Sequence, residues 1–522
     1  MMDLRQPRLL FLAASSSYLH GQDVVPVRVM GDPKITHFGF PWFTAIMIAS
    51  VKYLLARGDI EQAIKHIEES RAKFWTHLRG FREPFHLLPS PFDLTLSRLA
   101  ATLRRRGLED ALSHGSPYMP SAAMDPQLRQ DLDGWYATLE QIRTVPGYER
   151  FNMPVIMPDI MAVAKNGPVV ILGAYQGFSD AYAVILSDPQ APPQYLSLPI
   201  AEEKLNVIHT KFEEILRRQG NSALLEQREH SDTETLLHEV LTDLWIYICE
   251  PIVKHMGLEA DVAPPRVWWC PIGELEKMPI HAAGLHPSGP CLSDFIISSY
   301  TPTLNSLLEA RERVSQSPGN KVLIVAQPET PGLPFLPNAA LERDEICKIV
   351  PENLLVPLTR NATEKDGSEC TLDAVVSALS EASIAHFACH GAASREHPLE
   401  SALFLYDGDL TVARILYTDM PHASIAFLSA CHGSATDPFR PDQVVNLATG
   451  MLEAGFQTVI AALWSMEDKV GPELAKDVYA TLFDGGGPQP DRAAFALHKA
   501  LRNLRKKHAR LLSWVPFVHI GV

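Results

Sequence analysis

The predicted fold depends on two similar stretches, IAHFACHG at residues 384–391 and IAFLSACHG at residues 425–433. Each begins as a continuous apolar run, which is typical of a buried strand in a parallel sheet. The first run leads to His390 and the second to Cys431, about one strand–helix–strand connection further along the chain. Because ligands bind at the carboxyl ends of the strands in open α/β sheets, we expect His390 and Cys431 to meet there as a base–nucleophile pair.

Strand and helix patterns alternate around these stretches. From residue 321 onward, strands are predicted at 321–326, 353–358, 384–388, 424–429 and 458–462. Helices are predicted between them at 341–350, 372–379, 443–454, 472–482 and 492–505. Earlier strands are predicted at 168–172, 181–186, 195–198 and 267–271, with helices at 202–216, 233–255 and 304–314 and a polar linker at 219–231. The alternation predicts an α/β fold with a mostly parallel sheet flanked by helices.

The pattern before residue 150 is helical. Apolar residues recur at helical spacing on both sides of Arg57-Gly58-Asp59, which resembles one tetratricopeptide hairpin, and an ordinary helical hairpin fits equally well. Two more helices are predicted at 92–105 and 126–145, with a loop at 107–123. We therefore divide the chain into an irregular segment at 1–40, an α-helical, tetratricopeptide-like region at 41–150 and an α/β domain at 151–522.

The composition limits the classes of function. The 522 residues are 46% hydrophobic, which is enough for several domains with a sizeable core, and the net charge of −15 argues against a nucleic-acid partner. The seven cysteines form no CxxC pair, so we expect reduced thiols and a cytoplasmic location. No apolar run approaches the roughly 20 residues that span a bilayer, so we predict no membrane partner. The apolar stretch at 9–14 is too short for a signal peptide and suggests a ragged or truncated N-terminus.

A histidine and a cysteine at neighbouring strand ends suit nucleophilic catalysis. The imidazole of His390 can accept the proton of Cys431 or, once protonated, stabilise the thiolate that attacks the substrate. The backbone N–H groups of Gly391 and Cys431 are candidate oxyanion-hole donors, because glycine lets a substrate approach the backbone closely.

Two other roles remain open for these residues. Cys431 alone is compatible with a packed core thiol. A zinc ion is a second alternative, with potential ligands at His386, Cys389, His390, Cys431 and His432. Strand alternation disfavours zinc, because Cys389 should point away from His386 and His390. We therefore predict no metal and no cofactor, and we expect Cys389 to be a core thiol.

Further motifs resemble those of the CHAT domain family, a caspase-like family of cysteine peptidases related to separases, caspases and gingipains. The resemblance covers roughly residues 150–522, and fungal-type members are the most similar. The matching motifs, in order around the His-Gly and Ser-Ala-Cys strand ends, are WWCP at 268–271 with MPIHAAG at 278–284, YTPTL at 300–304, SALFL at 401–405 with Asp407-Gly408, Ala454-Gly455 with VIAALW at 459–464, and WVPFV at 514–518 with Gly521.

The resemblance implies a caspase-like fold and a dyad of His390 and Cys431 that cleaves a protein or peptide substrate. In separase-like relatives, an acidic residue after a Leu-Trp motif contacts the basic side chain before the scissile bond, and Asp468 matches that position. The resemblance therefore implies cleavage after Arg or Lys, although acids are also favoured near a helix start for electrostatic reasons.

The resemblance also implies regulation by an activating protein partner, for which the helical region at 41–150 is the candidate surface. The competing hypothesis is a non-catalytic interaction scaffold that uses the caspase-like fold. The presence of both His390 and Cys431 favours the peptidase, because a scaffold needs neither side chain.

Overall fold

The computed structural model describes most of the chain. The described residues are 41–80, 85, 88–114, 126–152, 157–175, 180–220, 227–313, 320–359, 370–392, 398–429, 447–464, 466, 468–508 and 510–522. Predictions for other positions, including those for Cys431, His432 and residues 1–40, lie outside the described residues.

Fifteen α-helices are assigned in these ranges. They are α1 Pro41–Ala56, α2 Ile60–Gly80, α3 Phe92–His114, α4 Pro126–Ile142, α5 Met157–Met161, α6 Glu202–Gly220, α7 Gln227–Leu244, α8 Glu250–His255, α9 Leu304–Glu312, α10 Pro337–Cys347, α11 Leu372–Leu379, α12 Val412–Tyr417, α13 Leu447–Ala454, α14 Gly471–Leu482 and α15 Ala493–Lys507. A π-helical turn, Trp245–Cys249, joins α7 to α8. None of the described helices is long and apolar enough to cross a membrane.

Fourteen strands are assigned in the same ranges. They are β1 Val169–Ala174, β2 Asp180–Leu186, β3 Gln194–Ala201, β4 Arg266–Gly273, β5 Ile297–Tyr300, β6 Lys321–Ala326, β7 Leu355–Thr359, β8 Ala382–Ala388, β9 His390–Ala392, β10 Ala402–Phe404, β11 Asp409–Thr411, β12 Ile425–Ser429, β13 Thr458–Ala462 and β14 Phe517–Gly521.

The chain divides into two compact units, residues 1–103 with 118–157 and residues 104–117 with 158–522. In the first unit, α1 and α2 pack against each other across a turn at Gly58, whose φ of +78° is a conformation that glycine adopts without steric cost. The two predicted helices and this turn are confirmed. Their similarity to a tetratricopeptide repeat stays a prediction. A second cluster buries residues of α3 and α4, including Leu99 and Trp135.

The second unit is built on a large sheet. In the described residues, eleven strands form one sheet in the order β3-β2-β1-β4-β5-β14-β13-β12-β8-β6-β7. Most neighbouring pairs are parallel, and apart from the edge strand β7 their residues are almost all buried, because helices cover the sheet. The predicted α/β class, with a mostly parallel sheet flanked by helices, is confirmed.

The sheet contains two sets of parallel strands that run in opposite directions. We call β1, β4, β5 and β14 the first half-sheet, and β6, β7, β8, β12 and β13 the second half-sheet. Each set is parallel internally, but β14 pairs with β13 in the antiparallel direction. The carboxyl ends of the two half-sheets therefore lie at opposite ends of the sheet.

Helices pack closely around the second half-sheet. Helix α10 packs on β6 and β8, and it also packs against α14, which in turn packs against α15. Helix α13 packs on β13 and β14 and against α12. This packing brings the middle of α10 next to the ends of β8 and β12.

Several local predictions are wrong. Helix α3 continues to His114, so the described part of the predicted loop at 107–123 is helical, because one glycine costs a helix only about 1 kcal/mol. The predicted linker at 219–231 is helical at both of its described ends, since its charged residues favour helix as readily as loop. Helix α10 begins at Pro337 instead of residue 341, because proline is favoured in the first turn of a helix.

Candidate active site

The two strands that carry the candidate dyad are neighbours in the second half-sheet. Strands β8 and β12 are parallel, and Ala388 at the end of β8 pairs with Ser429 at the end of β12. His390 follows Ala388 by two residues, and Cys431 follows Ser429 by two residues. The structure thus brings both chain segments to one end of the sheet. The position of Cys431 itself lies outside the described residues.

His390 is partly exposed and has a fixed hydrogen-bond partner. Its Nε2 atom lies 2.7 Å from the carbonyl oxygen of Pro334, to which the ring donates a hydrogen bond. With the proton on Nε2, Nδ1 carries the lone pair and is the nitrogen that can accept a proton. The neighbours of Pro334 in the chain, Leu333 and Phe335, are exposed apolar side chains.

Gly391 lies beside His390 in a short strand. In β9 it pairs with Leu403 of the antiparallel strand β10, and β10 pairs in turn with β11. This three-stranded sheet holds the segment that follows β8. The SALFL motif and Asp407-Gly408 lie in the hairpin of β10 and β11, while the role of Gly391 as an oxyanion donor stays a prediction.

Asp468 begins a 3-10 turn, Asp468–Val470, which leads directly into α14. Its side chain is not among those that the structure describes. The predicted contact of Asp468 with a basic substrate residue therefore stays a prediction. The turn does place this position immediately before a helix that packs against α10.

Three of the five potential metal ligands, His386, Cys389 and His390, are among the described residues. His386 is fully buried, and Cys389 is buried as predicted for a core thiol. Among the described residues, no three His, Cys, Asp or Glu side chains gather in a way that would hold a metal ion.

A buried carboxylate lies beneath the two strand ends. Oε1 of Glu342, in α10, is 3.0 Å from Nε2 of His386, and Oε2 accepts a hydrogen bond of 3.0 Å from the hydroxyl of Ser429. All three residues are buried, and within the described part of the chain Nδ1 of His386 has no hydrogen-bond partner. The ring of Tyr479 lies 5.6 Å from that of His386, and burial together with the charge of Glu342 raises the pKa of Tyr479.

Sequence reasoning missed Glu342. It lies on the buried face of α10 with Ala339 and Ile346, where an acidic residue is rarely found unless it has a partner. An acid at the spacing of an apolar helix face was the available signal. The partner could not be recognised from sequence, because His386 and Ser429 lie far along the chain.

A cysteine–histidine contact occurs elsewhere in the same unit, among the described residues. Sγ of Cys291 lies 3.5 Å from Nδ1 of His286. Burial raises the pKa of the Cys291 thiol to about 11 and lowers the pKa of His286 to about 4. The thiol is therefore protonated at neutral pH and is a poor nucleophile, so proximity alone does not make this pair a catalytic dyad.

The profile of the CHAT domain matches residues 238–522, which is more than half of the chain. This chain belongs to the CHAT domain family. The matched CHAT domain contains strands β4 to β14 and therefore includes both His390 and Cys431. A comparison with curated proteins found no match.

Solved structures share a general likeness with the chain. A separase–securin complex from Saccharomyces cerevisiae has 9% identity and a TM-score of 0.49, and the alignment covers 88% of this chain and 37% of that chain. The chain thus corresponds to little more than a third of that protein. An Arg-specific cysteine proteinase, gingipain R, has 9% identity, a TM-score of 0.34 and coverage of 55% of this chain and 67% of that chain. The complex of the RgpB pro- and mature domains from Porphyromonas gingivalis has 10% identity, a TM-score of 0.36 and coverage of 57% and 77%.

Proposed function

We propose that this CHAT domain is a cysteine endopeptidase in which His390 is the general base and Cys431 the nucleophile. The observation that carries the proposal is the pairing of Ala388 with Ser429 at the ends of two parallel neighbouring strands. From each of these two positions the chain continues two residues further, to His390 and to Cys431. The hydrogen bond from His390 to Pro334 supports the proposal, because it leaves Nδ1 as a proton acceptor.

The proposed reaction proceeds through a thioester. Nδ1 of His390 accepts the proton from Sγ of Cys431, and the thiolate attacks the carbonyl carbon of the scissile peptide bond. The backbone N–H groups of Gly391 and Cys431 stabilise the negative charge on the carbonyl oxygen. The C–N bond then breaks, His390 returns the proton to the leaving amine, and water hydrolyses the thioester. The exposed side chains of Leu333 and Phe335 beside the Pro334 carbonyl offer an apolar surface to the peptide.

We further propose that Asp468 selects Arg or Lys before the scissile bond. The position of Asp468 directly before α14 supports this assignment, since α14 packs against the helix beneath the two strand ends. A carboxylate and a guanidinium form a strong, directional pair. The substrate is a protein or peptide.

Regulation and location form part of the same proposal. An activating protein partner is proposed to bind the helical region at 41–150, where the exposed side chains of Tyr53 and Leu94 provide apolar contacts. A reducing compartment such as the cytoplasm suits a thiol enzyme, and the six described cysteines are all thiols. Deletion of the helical region should leave catalytic residues intact while removing any response to such a partner.

The decisive test is cleavage of a mixed peptide library by the full chain and by Cys431→Ala and His390→Ala. We expect cleavage by the unmodified chain only. No cleavage combined with labelling of Cys431 by a peptide electrophile would indicate a zymogen that lacks its activator. Neither cleavage nor labelling would overturn the peptidase and favour the non-catalytic scaffold.

The specificity is tested with Asp468→Asn. We expect this change to reduce kcat/KM for substrates with Arg or Lys before the scissile bond by about 100-fold, as a lost charge-assisted contact predicts. Asp484→Asn is the matched control, because Asp484 is a surface acid after α14 whose contact is with Arg492. An unchanged preference in Asp468→Asn would remove Asp468 from the proposal and leave the dyad in place.

A further inference from the structure

We propose that Glu342 is a positioning residue that holds together the three segments bearing His390, Cys431 and Asp468. The proposal rests on the proposed peptidase function and adds a residue outside its catalytic set. Glu342 touches neither the dyad nor the substrate in this proposal. It acts by fixing the chain segments from which those residues extend.

The first two segments are the ends of β8 and β12. The Glu342 carboxylate contacts His386 through one oxygen and Ser429 through the other, each at 3.0 Å. His386 lies four residues before His390, and Ser429 lies two residues before Cys431. One planar group therefore bonds to both strands just before the proposed catalytic residues.

The third segment is the first turn of α14. A Cβ atom added to Gly471 would lie only 2.5 Å from Oε2 of Glu342, so the helix backbone packs directly against the carboxylate. Gly471 follows the Asp468–Val470 turn without a break. A carboxylate at a helix N-terminus is stabilised by the helix dipole, which favours this contact further.

Burial explains why the contacts of Glu342 favour one relative position of β8 and β12. Glu342 and His386 are almost wholly enclosed, and a buried carboxylate is costly unless its oxygens accept hydrogen bonds. A sliding movement of either strand would leave one oxygen without its donor. The carboxylate therefore favours one relative position of the strands, and displacements of about 1 Å in an active site can cost 100-fold in rate.

The main test compares Glu342→Gln with the full chain in steady-state peptide cleavage. Glutamine preserves the shape but offers one acceptor oxygen instead of two. We expect kcat to fall about 10- to 100-fold, because the strand ends that lead to the dyad shift, while the part of the effect that runs through the Asp468 segment appears as a rise in KM for substrates with Arg or Lys. Glu345→Gln is the matched control, since Glu345 lies on the same helix and bonds on the surface to Lys348 and Lys476.

A second pair of variants tests the strand contact alone. Ser429→Ala removes one hydrogen bond of the carboxylate. Ser424→Ala changes the residue just before the other end of β12, whose hydroxyl donates to the carbonyl of Ser383. We expect only Ser429→Ala to lower kcat. Ser429→Ala and Glu342→Gln should be less than additive when combined, because both act on one contact. This pair also serves if Glu342→Gln fails to fold.

Gly471→Ala tests the contact with α14. The added methyl group must displace the carboxylate, so we expect a loss of kcat in this variant as well. Folding of each variant is checked by its thermal unfolding midpoint.

The outcomes separate this inference from the proposed function. An active chain whose folded Glu342→Gln and Ser429→Ala variants retain the full kcat would overturn the positioning role and leave the peptidase intact. Cleavage that survives Cys431→Ala would overturn the proposed function and the inference together. A fall in kcat at Glu342 and Ser429, with Glu345→Gln and Ser424→Ala unaffected, would support both.

Discussion

One buried histidine lies beside the first half-sheet and another lies within the second, and these two histidines have different surroundings. In the first half-sheet, His281 follows β4 and packs beside Tyr300 at the end of β5. In the second half-sheet, His386 lies within β8, beneath the candidate site. Both side chains are buried, and both contact residues far away in the sequence. They differ in the charge of the group that they contact.

His281 is held by neutral partners on both ring nitrogens. Nε2 donates to the carbonyl oxygen of Val515 at 3.0 Å, and the hydroxyl of Tyr300 lies 2.9 Å from Nδ1. Burial lowers the pKa of His281 to about 4, so the ring is neutral at physiological pH. Such an arrangement is complete in itself and stabilises the fold.

The carboxylate of Glu342 contacts one ring nitrogen of His386, and the described residues offer no hydrogen-bond partner to the other nitrogen. A buried charge needs hydrogen-bond partners, and the one carboxylate of Glu342 contacts both His386 and Ser429. The two half-sheets also run in opposite directions, and the direction of the strands decides at which end of the sheet a catalytic site can form. In the second half-sheet, β8 and β12 are parallel neighbours. The chain therefore leaves both strands toward His390 and Cys431 at the same end of the sheet.

The largest expected effect belongs to His386→Ala. Removing this ring leaves a buried carboxylate with the Ser429 hydroxyl as its remaining hydrogen-bond donor in the described network, which should cost about 3–5 kcal/mol of unfolding free energy. We also expect lower kcat in the folded fraction, because the end of β8 loses its anchor. Urea unfolding and peptide cleavage at low denaturant measure the two effects. A stable and fully active His386→Ala protein would contradict the contrast between the half-sheets.

His281→Ala should give a smaller and purely structural effect. The change removes the ring's hydrogen bonds to the Tyr300 hydroxyl and the Val515 carbonyl, while the backbone N–H at position 281 still donates to Tyr300, at an expected cost of about 2–4 kcal/mol. The kcat of the folded protein should remain that of the unmodified chain, since no site residue depends on this contact. A selective loss of kcat at conditions where the variant is folded would show that the first half-sheet also serves the site.

Acid should weaken the α/β unit through its buried histidines. Burial lowers the pKa of His281, His286 and His498 to about 4, below the ordinary value of 6.5. The unfolded chain therefore binds more protons than the folded chain between these values. Their contribution to stability is present above pH 6.5 and is lost as pH falls toward 4, by up to about 1.4 kcal/mol per pH unit for each histidine.

The measurement is the urea midpoint between pH 7.5 and 4.5 for the unmodified chain and for His281→Gln. We expect a shallower pH dependence in the variant, because one of the titrating groups is gone. Equal slopes for the two proteins would show that His281 does not hold the lowered pKa.

The smallest effect is expected at Cys291. Its raised pKa keeps the thiol protonated, so iodoacetamide at pH 7.5 should leave Cys291 unlabelled in the folded protein while it labels Cys431. Cys291→Ala should cost about 1 kcal/mol and leave cleavage unchanged. Rapid labelling of Cys291, located by peptide mass, would indicate a second reactive thiol beside His286.

Local sequence was a good guide to the second half-sheet. The apolar runs that end at Ala388 and Ser429 predicted β8 and β12 closely, because a strand buried on both faces leaves a continuous hydrophobic signal. The glycine turn between α1 and α2 was equally local. The predictions are wrong where residues are compatible with both helix and loop. An example is the predicted linker at 219–231, whose described ends are helical.

The candidate site was predicted only in part. His390 is a candidate because a reactive side chain follows a buried strand, and the structure places it partly exposed just after β8, while its catalytic role stays a prediction. The Pro334 carbonyl that orients its ring could not be predicted, because a backbone carbonyl leaves no mark in the sequence. The placements of Cys431 and of the Asp468 side chain stay predictions.

The sequence by itself determined the α/β class, the buried strands and the order of the CHAT motifs, since each depends on residues close together in the chain. Only the tertiary structure decided that β14 runs antiparallel to β13, and that Glu342 lies beneath β8 and β12. Strand order and helix packing join segments far apart in sequence, and no local pattern of polarity specifies which distant strand or carboxylate will be the neighbour.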